Sequence, residues 1–125
     1  MIALTDRSRR SEAENRRDFY RINFPIEERP RILLDAPGSV RMVGEVLECS
    51  ERGLRFSSPM RWLHGIGVPV SGEVMFSRGE RARVAGSVVR VQGDEIALFL
   101  GKTTIPLAVI LDVQRYLRTQ YAGAE

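Results

Sequence analysis

From residue 22 to residue 100 the apolar side chains recur at every second position in short runs, and each run is cut off by glycine, proline or a charged turn. A two-residue period fits strands with one buried face and excludes long amphipathic helices over the same stretch. Residues 31–34 read as a first strand, ended by the turn residues Asp35-Ala-Pro-Gly38. Residues 40–49 read as a second, and 53–57 as a third with Leu54 and Phe56 two positions apart. The stretch 58–70 carries Pro59, Gly65, Gly67 and Pro69 and reads as loop, with Trp62 as an aromatic plug. Residues 72–76 and 81–91 flank the short connection 77–80, and Gln92-Gly-Asp94 turns into a last strand over 95–100. Six short strands on tight connections predict a mainly β fold, an antiparallel barrel or sandwich.

The period changes at residue 105. Over 105–121 Val109, Val113, Tyr116 and Leu117 fall on one helical face, while Asp112, Arg115, Arg118 and Thr119 fall on the other. Pro106 suits a first helical turn. One amphipathic helix is therefore expected to close the chain and lie against the barrel. The first twenty-one residues are of another kind. Six arginines, up to Arg21, alternate there with four acidic residues, with hardly any apolar side chain before Phe19. Such a segment buries too little to offset its ordering entropy, so a flexible basic arm is predicted over 1–21, anchored at Phe19 and Tyr20. Residues 22–125 then form one domain, within the range that a single core can hold.

Composition narrows the function classes. Hydrophobic residues at 43% against 28% charged exclude wholesale disorder. The longest apolar run, residues 105–111, is seven residues long, Pro106 among them, where a membrane-spanning helix needs about 20. The first six residues turn polar before an apolar leader core forms, so a cytoplasmic protein is expected. Cys49 is the one cysteine and His64 the one histidine, too few for a usual zinc ligand set. A Cys49–His64 nucleophile pair would have to meet across the fold, and Cys49 lies mid-strand, where it reads as a small packing residue. His64 reads as a surface histidine, and the neighbouring carboxylates Glu27-Glu28 and Asp94-Glu95 as solvated turn charges. No glycine-rich phosphate loop is present. The expectation is a protein without catalytic activity, metal or cofactor. Net charge is +3, too small for generic coating of DNA, yet eighteen of the nineteen cations are arginine, Lys102 being the exception. Arginine pairs bidentately with phosphate and guanine and stacks on rings.

Two short patterns remain. Arg16-Arg17-Asp18-Phe19-Tyr20-Arg21 ends the arm, and positions four apart let Arg17 and Arg21 close on one ligand from one side. Glu48-Cys49-Ser50-Glu51-Arg52-Gly53 spans the end of one strand and the start of the next. Alternation puts Glu48 and Ser50 on one face and Cys49 on the other, and Gly53 permits a tight backbone there. At this arginine content Arg-x-x-x-Arg arises by chance about 2.5 times, falling to about 0.4 with the preceding arginine, and the second pattern arises about 0.1 times. The combination carries weight, whereas neither half does.

With these two patterns in this order, the chain resembles the PilZ domain family, bacterial receptors for cyclic di-GMP, over roughly residues 16–121. The resemblance implies a six-stranded antiparallel barrel with a C-terminal helix and a ligand wrapped by the N-terminal segment. Arg17 and Arg21 would grip guanine edges and phosphates, Ser50 would hydrogen-bond the ligand, and Gly53 would hold the backbone close. An arginine at the Arg16 position favours, in the family, a ligand taken as an intercalated dimer. Glu48 stands where the family usually has Asp or Asn; its extra methylene carries the carboxylate about 1.5 Å further out. The expectation is a receptor whose N-terminal arm changes conformation on binding and signals to a partner protein in motility, biofilm or polysaccharide control; some family members bind no nucleotide and act only as protein adaptors, and Glu48 keeps that alternative open. A third alternative, a small-barrel binder of single-stranded nucleic acid, wants exposed aromatics, whereas the 7% aromatic content is expected mostly inward.

Overall fold

The computed structural model describes residues 20–35, 41–59, 62 and 64–121. Within them the chain forms β1 (Ile22–Asn23), a 3-10 turn (Ile26–Glu28), β2 (Arg31–Asp35), β3 (Met42–Cys49) and β4 (Gly53–Ser57). Then come β5 (Pro69–Met75), β6 (Arg81–Gln92), β7 (Glu95–Thr103) and one α-helix, α1 (Leu107–Gln120). All pairings are antiparallel, and the succession β2–β3–β4–β7–β6–β5 returns to β2. The six expected strands thus close into a barrel with no free sheet edge between them. β1 is a seventh, two-residue strand that pairs with the end of β3.

Tight turns impose the antiparallel order. Ser50, Glu51 and Arg52 separate β3 from β4, and the Ser50 N–H donates to the Gly53 carbonyl at 2.8 Å across the two-residue tip Glu51-Arg52. Gly79 closes the β5–β6 connection at φ 105° and Gly93 the β6–β7 connection at φ 64°, both in the left-handed region that favours glycine. The alternating apolar residues point inward as their period requires: Ile32, Leu34, Val46, Phe56, Val74, Val88, Ile96 and Leu100 are all 0% exposed. Trp62 is the expected plug, its ring centroid 5.8 Å from that of Phe56 in an edge-to-face contact.

Several boundaries differ from the sequence reading. β5 begins at Pro69, three residues earlier than expected, because Gly72 is not a strand start but a crossing point. A Cβ there would come 2.2 Å from the Leu33 carbonyl oxygen. Pro69 is tolerated as first residue of the strand. β7 runs on to Thr103, since the β6–β7 register shifts between Ser87↔Phe99 and Ala85↔Thr103 and accommodates the extra residues in a bulge. Gly86 lies inside that irregularity, where a Cβ would meet the Phe99 carbonyl oxygen. The turn expected at 36–38 and the arm expected over 1–21, apart from Tyr20 and Arg21, lie outside the described residues.

The helix packs against the barrel core. It starts after Pro106, whose carbonyl accepts from the N–H groups of Val109 and Ile110. Val113 is buried, and Val109 and Leu117 pack partly buried against the core, as expected. The deepest contact, however, is Ile110 at 0% exposure, one turn before Val113 and absent from the expected face. Asp112, Arg115, Arg118 and Thr119 face outward as expected. Tyr121 donates to Glu28 at 3.2 Å and Arg78 lies 5.2 Å over the Tyr116 ring, so the far end of α1 is tied to the turns beneath it.

Two substitutions test this packing by urea denaturation. Gly86→Ala forces the β6–β7 backbones apart and is expected to cost about 3 kcal/mol or more. Ile110→Ala leaves a cavity where α1 meets the barrel and is expected to cost about 3 kcal/mol. By contrast, Asp112→Ala on the exposed face stays within about 0.5 kcal/mol of the parent.

Candidate functional site

A single extra residue in β3 sets the site. Gly44 and Val46 point inward, so uninterrupted alternation would send Glu48 into the core. The β3–β4 register instead shifts between Val46↔Phe56 and Glu48↔Arg55, leaving Leu47 as a bulge. Beyond it the faces are exchanged. Cys49 packs inward at 1% exposure, and the Glu48 side chain, 25% exposed, stands on the outer wall.

On that wall four charged side chains form a chain across three strands. Arg21, just before β1, places Nε 3.3 Å from Oε1 of Glu48. Oε2 of Glu48 accepts from Nη2 of Arg55 on β4 at 3.4 Å. Arg55 in turn donates through Nη1 to Oε1 of Glu95 on β7 at 2.6 Å. Partial burial by itself would lower the Arg55 pKa; the hydrogen bonds to Glu95 and Glu48 outweigh it, so the guanidinium lies above its ordinary value and stays charged. All four side chains keep between a quarter and a half of their surface in water. Ion pairs so exposed contribute at most about 1 kcal/mol each, so the chain orients groups more than it holds the fold.

The β3–β4 turn closes the upper rim. Oγ of Ser50 accepts the N–H of Gly53 at 3.1 Å, which leaves the hydroxyl hydrogen to donate outward. Gly53 does not occupy the left-handed region; what its position requires is space, since a Cβ would come 3.3 Å from Oγ of Ser50. The turn is pinned from behind: the carbonyls of Glu51 and Arg52 accept from the N–H groups of Ile105 and Leu100.

Beneath the rim lies an open cleft of about 720 Å³, within the span of small-molecule sites. Arg21, Glu48, Ser50 and Gly53 all line it, so the four described residues singled out from two separate motifs share one surface. Arg16 and Arg17 lie outside the described residues. Sequence reasoning missed Arg52, Arg55, Arg90 and Phe99 in the lining. The signal for Arg55 was present: counting back from the two-residue turn places it opposite Glu48. Phe99 was legible as the outward partner of Leu98 and Leu100, and at 49% exposure it is an aromatic on the outer face, unlike buried Phe24, Phe56 and Phe76.

The cleft brings together guanidinium groups, one carboxylate, a hydroxyl and a ring, groups whose chemistry can pair with an anion that has polar edges. Its neighbour Cys49 is unsuited to nucleophilic work, because burial, and to a lesser extent the charge of Glu48, pushes its pKa far above the ordinary 9.0. His64 is not in the cleft lining; it is half-buried with its ring 5.2 Å from that of Trp62, rather than on the open surface. Among the described residues no three His, Cys, Asp or Glu side chains gather as a metal-ligand group.

Two measurements check this geometry. Arg21→Ala is expected to change unfolding free energy by no more than about 1 kcal/mol, because the pair it breaks with Glu48 is exposed. The Cys49 thiol is raised in the folded state, so its stabilising contribution is complete below pH 9.0 and falls as pH rises beyond it, the unfolded chain ionising first. Stability should therefore decline above pH 9.0 with a slope of up to about 1.4 kcal/mol per pH unit from this group, and Cys49→Ala should remove that component in alkaline urea titrations.

Comparison with protein-family models yields no match, and no curated protein matches the chain, so what it does is read from the cleft itself.

Proposed function

We propose that this chain is a receptor of the PilZ type, which holds cyclic di-GMP in the cleft outside the barrel and passes its occupancy to a partner protein. The observation that carries the proposal is the meeting of Arg21 with Glu48, Ser50 and Gly53 around one cleft. Each ligand feature has a matching group. The guanidinium forks suit guanine N7 and O6 and the two phosphates. Glu48 accepts from the N1–H and N2–H edge of guanine, and Ser50 supplies a donor. Arg52 and Arg90 add positive charge around the same opening. In this reading Arg16 and Arg17 complete the grip from the N-terminal side.

Calorimetric titration tests it directly. Saturable heat is expected with cyclic di-GMP at micromolar ligand, and Arg21→Ala is expected to weaken binding roughly 10- to 100-fold while the melting temperature holds. No heat at tens of micromolar ligand overturns the receptor reading.

A second reading draws on the state of Glu48, both of whose oxygens are already engaged by arginines of this chain. A guanine edge has to share or displace those contacts. A nucleotide-independent module that binds its partner through the same charged wall meets no such competition. Partner binding that is indifferent to the nucleotide, and lost on Glu48→Ala, favours this reading over the first.

A further inference from the structure

The two contacts to Glu48 are not equivalent. Arg21 approaches from the chain segment that leads into β1, whereas Arg55 is the direct cross-strand partner of Glu48 in the bulged β3–β4 register. Arg55 is itself anchored. Its Nη1 is held at 2.6 Å by Glu95, which reaches across from β7, and its Nη2 is left for Oε2 of Glu48 at 3.4 Å. A planar guanidinium fixed at one nitrogen has its other nitrogen fixed in direction as well. Glutamate has one more rotatable bond than aspartate, so a glutamate ledge needs an external constraint to present its carboxylate in one orientation. The chain supplies that constraint from the next two strands, through Arg55 on β4 and Glu95 on β7.

Resting on the receptor reading above, we infer that Arg55, anchored by Glu95, is a positioning residue that holds one oxygen of Glu48 so that the carboxylate faces the cleft and selects guanine. Adenine offers no N1–H donor, so an oriented carboxylate discriminates between the two purines, whereas arginine contacts to phosphate do not. Removing Arg55 therefore affects selectivity before it affects anion binding.

The test titrates cyclic di-GMP and cyclic di-AMP into the full chain and into Arg55→Gln, Arg55→Lys and Glu95→Gln, with thermal melts of each. The parent should prefer the guanine ligand. Arg55→Gln should lower cyclic di-GMP affinity by about tenfold with little change for cyclic di-AMP, Glu95→Gln should act in the same direction more weakly, and Arg55→Lys should recover part of the preference. An unchanged ratio in Arg55→Gln overturns the positioning role and leaves the receptor reading intact. If the parent takes up neither dinucleotide, the receptor reading fails, and with it the selection of guanine. The orientation of Glu48 is then judged in the ligand-free protein from the side-chain Nε–H resonance of Arg21. Movement of that resonance in Arg55→Gln, but not in Arg81→Gln on the far wall, sustains the orienting contact; no movement overturns it.

Discussion

β3 carries the closure of the molecule and the site at once. Its first half pairs with β2 and its second half with β1 along one edge, while the other edge pairs with β4. Among the described residues no other strand joins three partners. Between the two halves lies Leu47, the residue that has no partner in the β4 register. A ladder with strict two-residue alternation could keep Val46 inside only by keeping Glu48 inside as well, with an unpaired carboxylate in an apolar core. The bulge lets both hydrophobic closure and an outward carboxylate coexist in four residues, and adds the local twist that a small barrel needs.

The outer wall inherits its order from that core. Arg55, Glu95 and Ala97 stand where they do because Leu54, Phe56, Ile96 and Leu98 are fixed inside on the same strands. The ion pairs therefore add little stability and do not need to. Their directions come from backbone register, and the close crossings at Gly72 and Gly86 keep that register from sliding. A flexible surface with the same four charges would spend its interaction energy on ordering them. Here most of that ordering has already been done by the barrel.

Much of this was legible in the residues. Period two located the strands, and the bounds of β4 agree with expectation because a two-residue turn precedes it and Ser58-Pro59 follows. One boundary failed where glycine was read as punctuation: Gly72 is an interior position at which the Leu33 backbone passes too close for a side chain. Ile110 was missed because the helical face was drawn from Val109 and Val113, and only docking against the barrel shows which side of that stripe goes deepest. The Glu48 and Ser50 ledge was legible from local alternation. The bulge was not, since Val46-Leu47 is an ordinary apolar pair whose irregularity appears only against β4. Nor was β1, two residues long, whose pairing with Cys49 and Glu48 is what brings Arg21 within reach.

Arg21 is held in two places of unlike character. Its guanidinium leans on the barrel wall through Glu48, and its carbonyl receives a long hydrogen bond, 3.5 Å, from Gln114 on α1. One residue thus connects the cleft to the capping helix in series. The segment leading into β1 and the C-terminal helix, far apart along the chain, thus meet at one residue on the rim of the cleft.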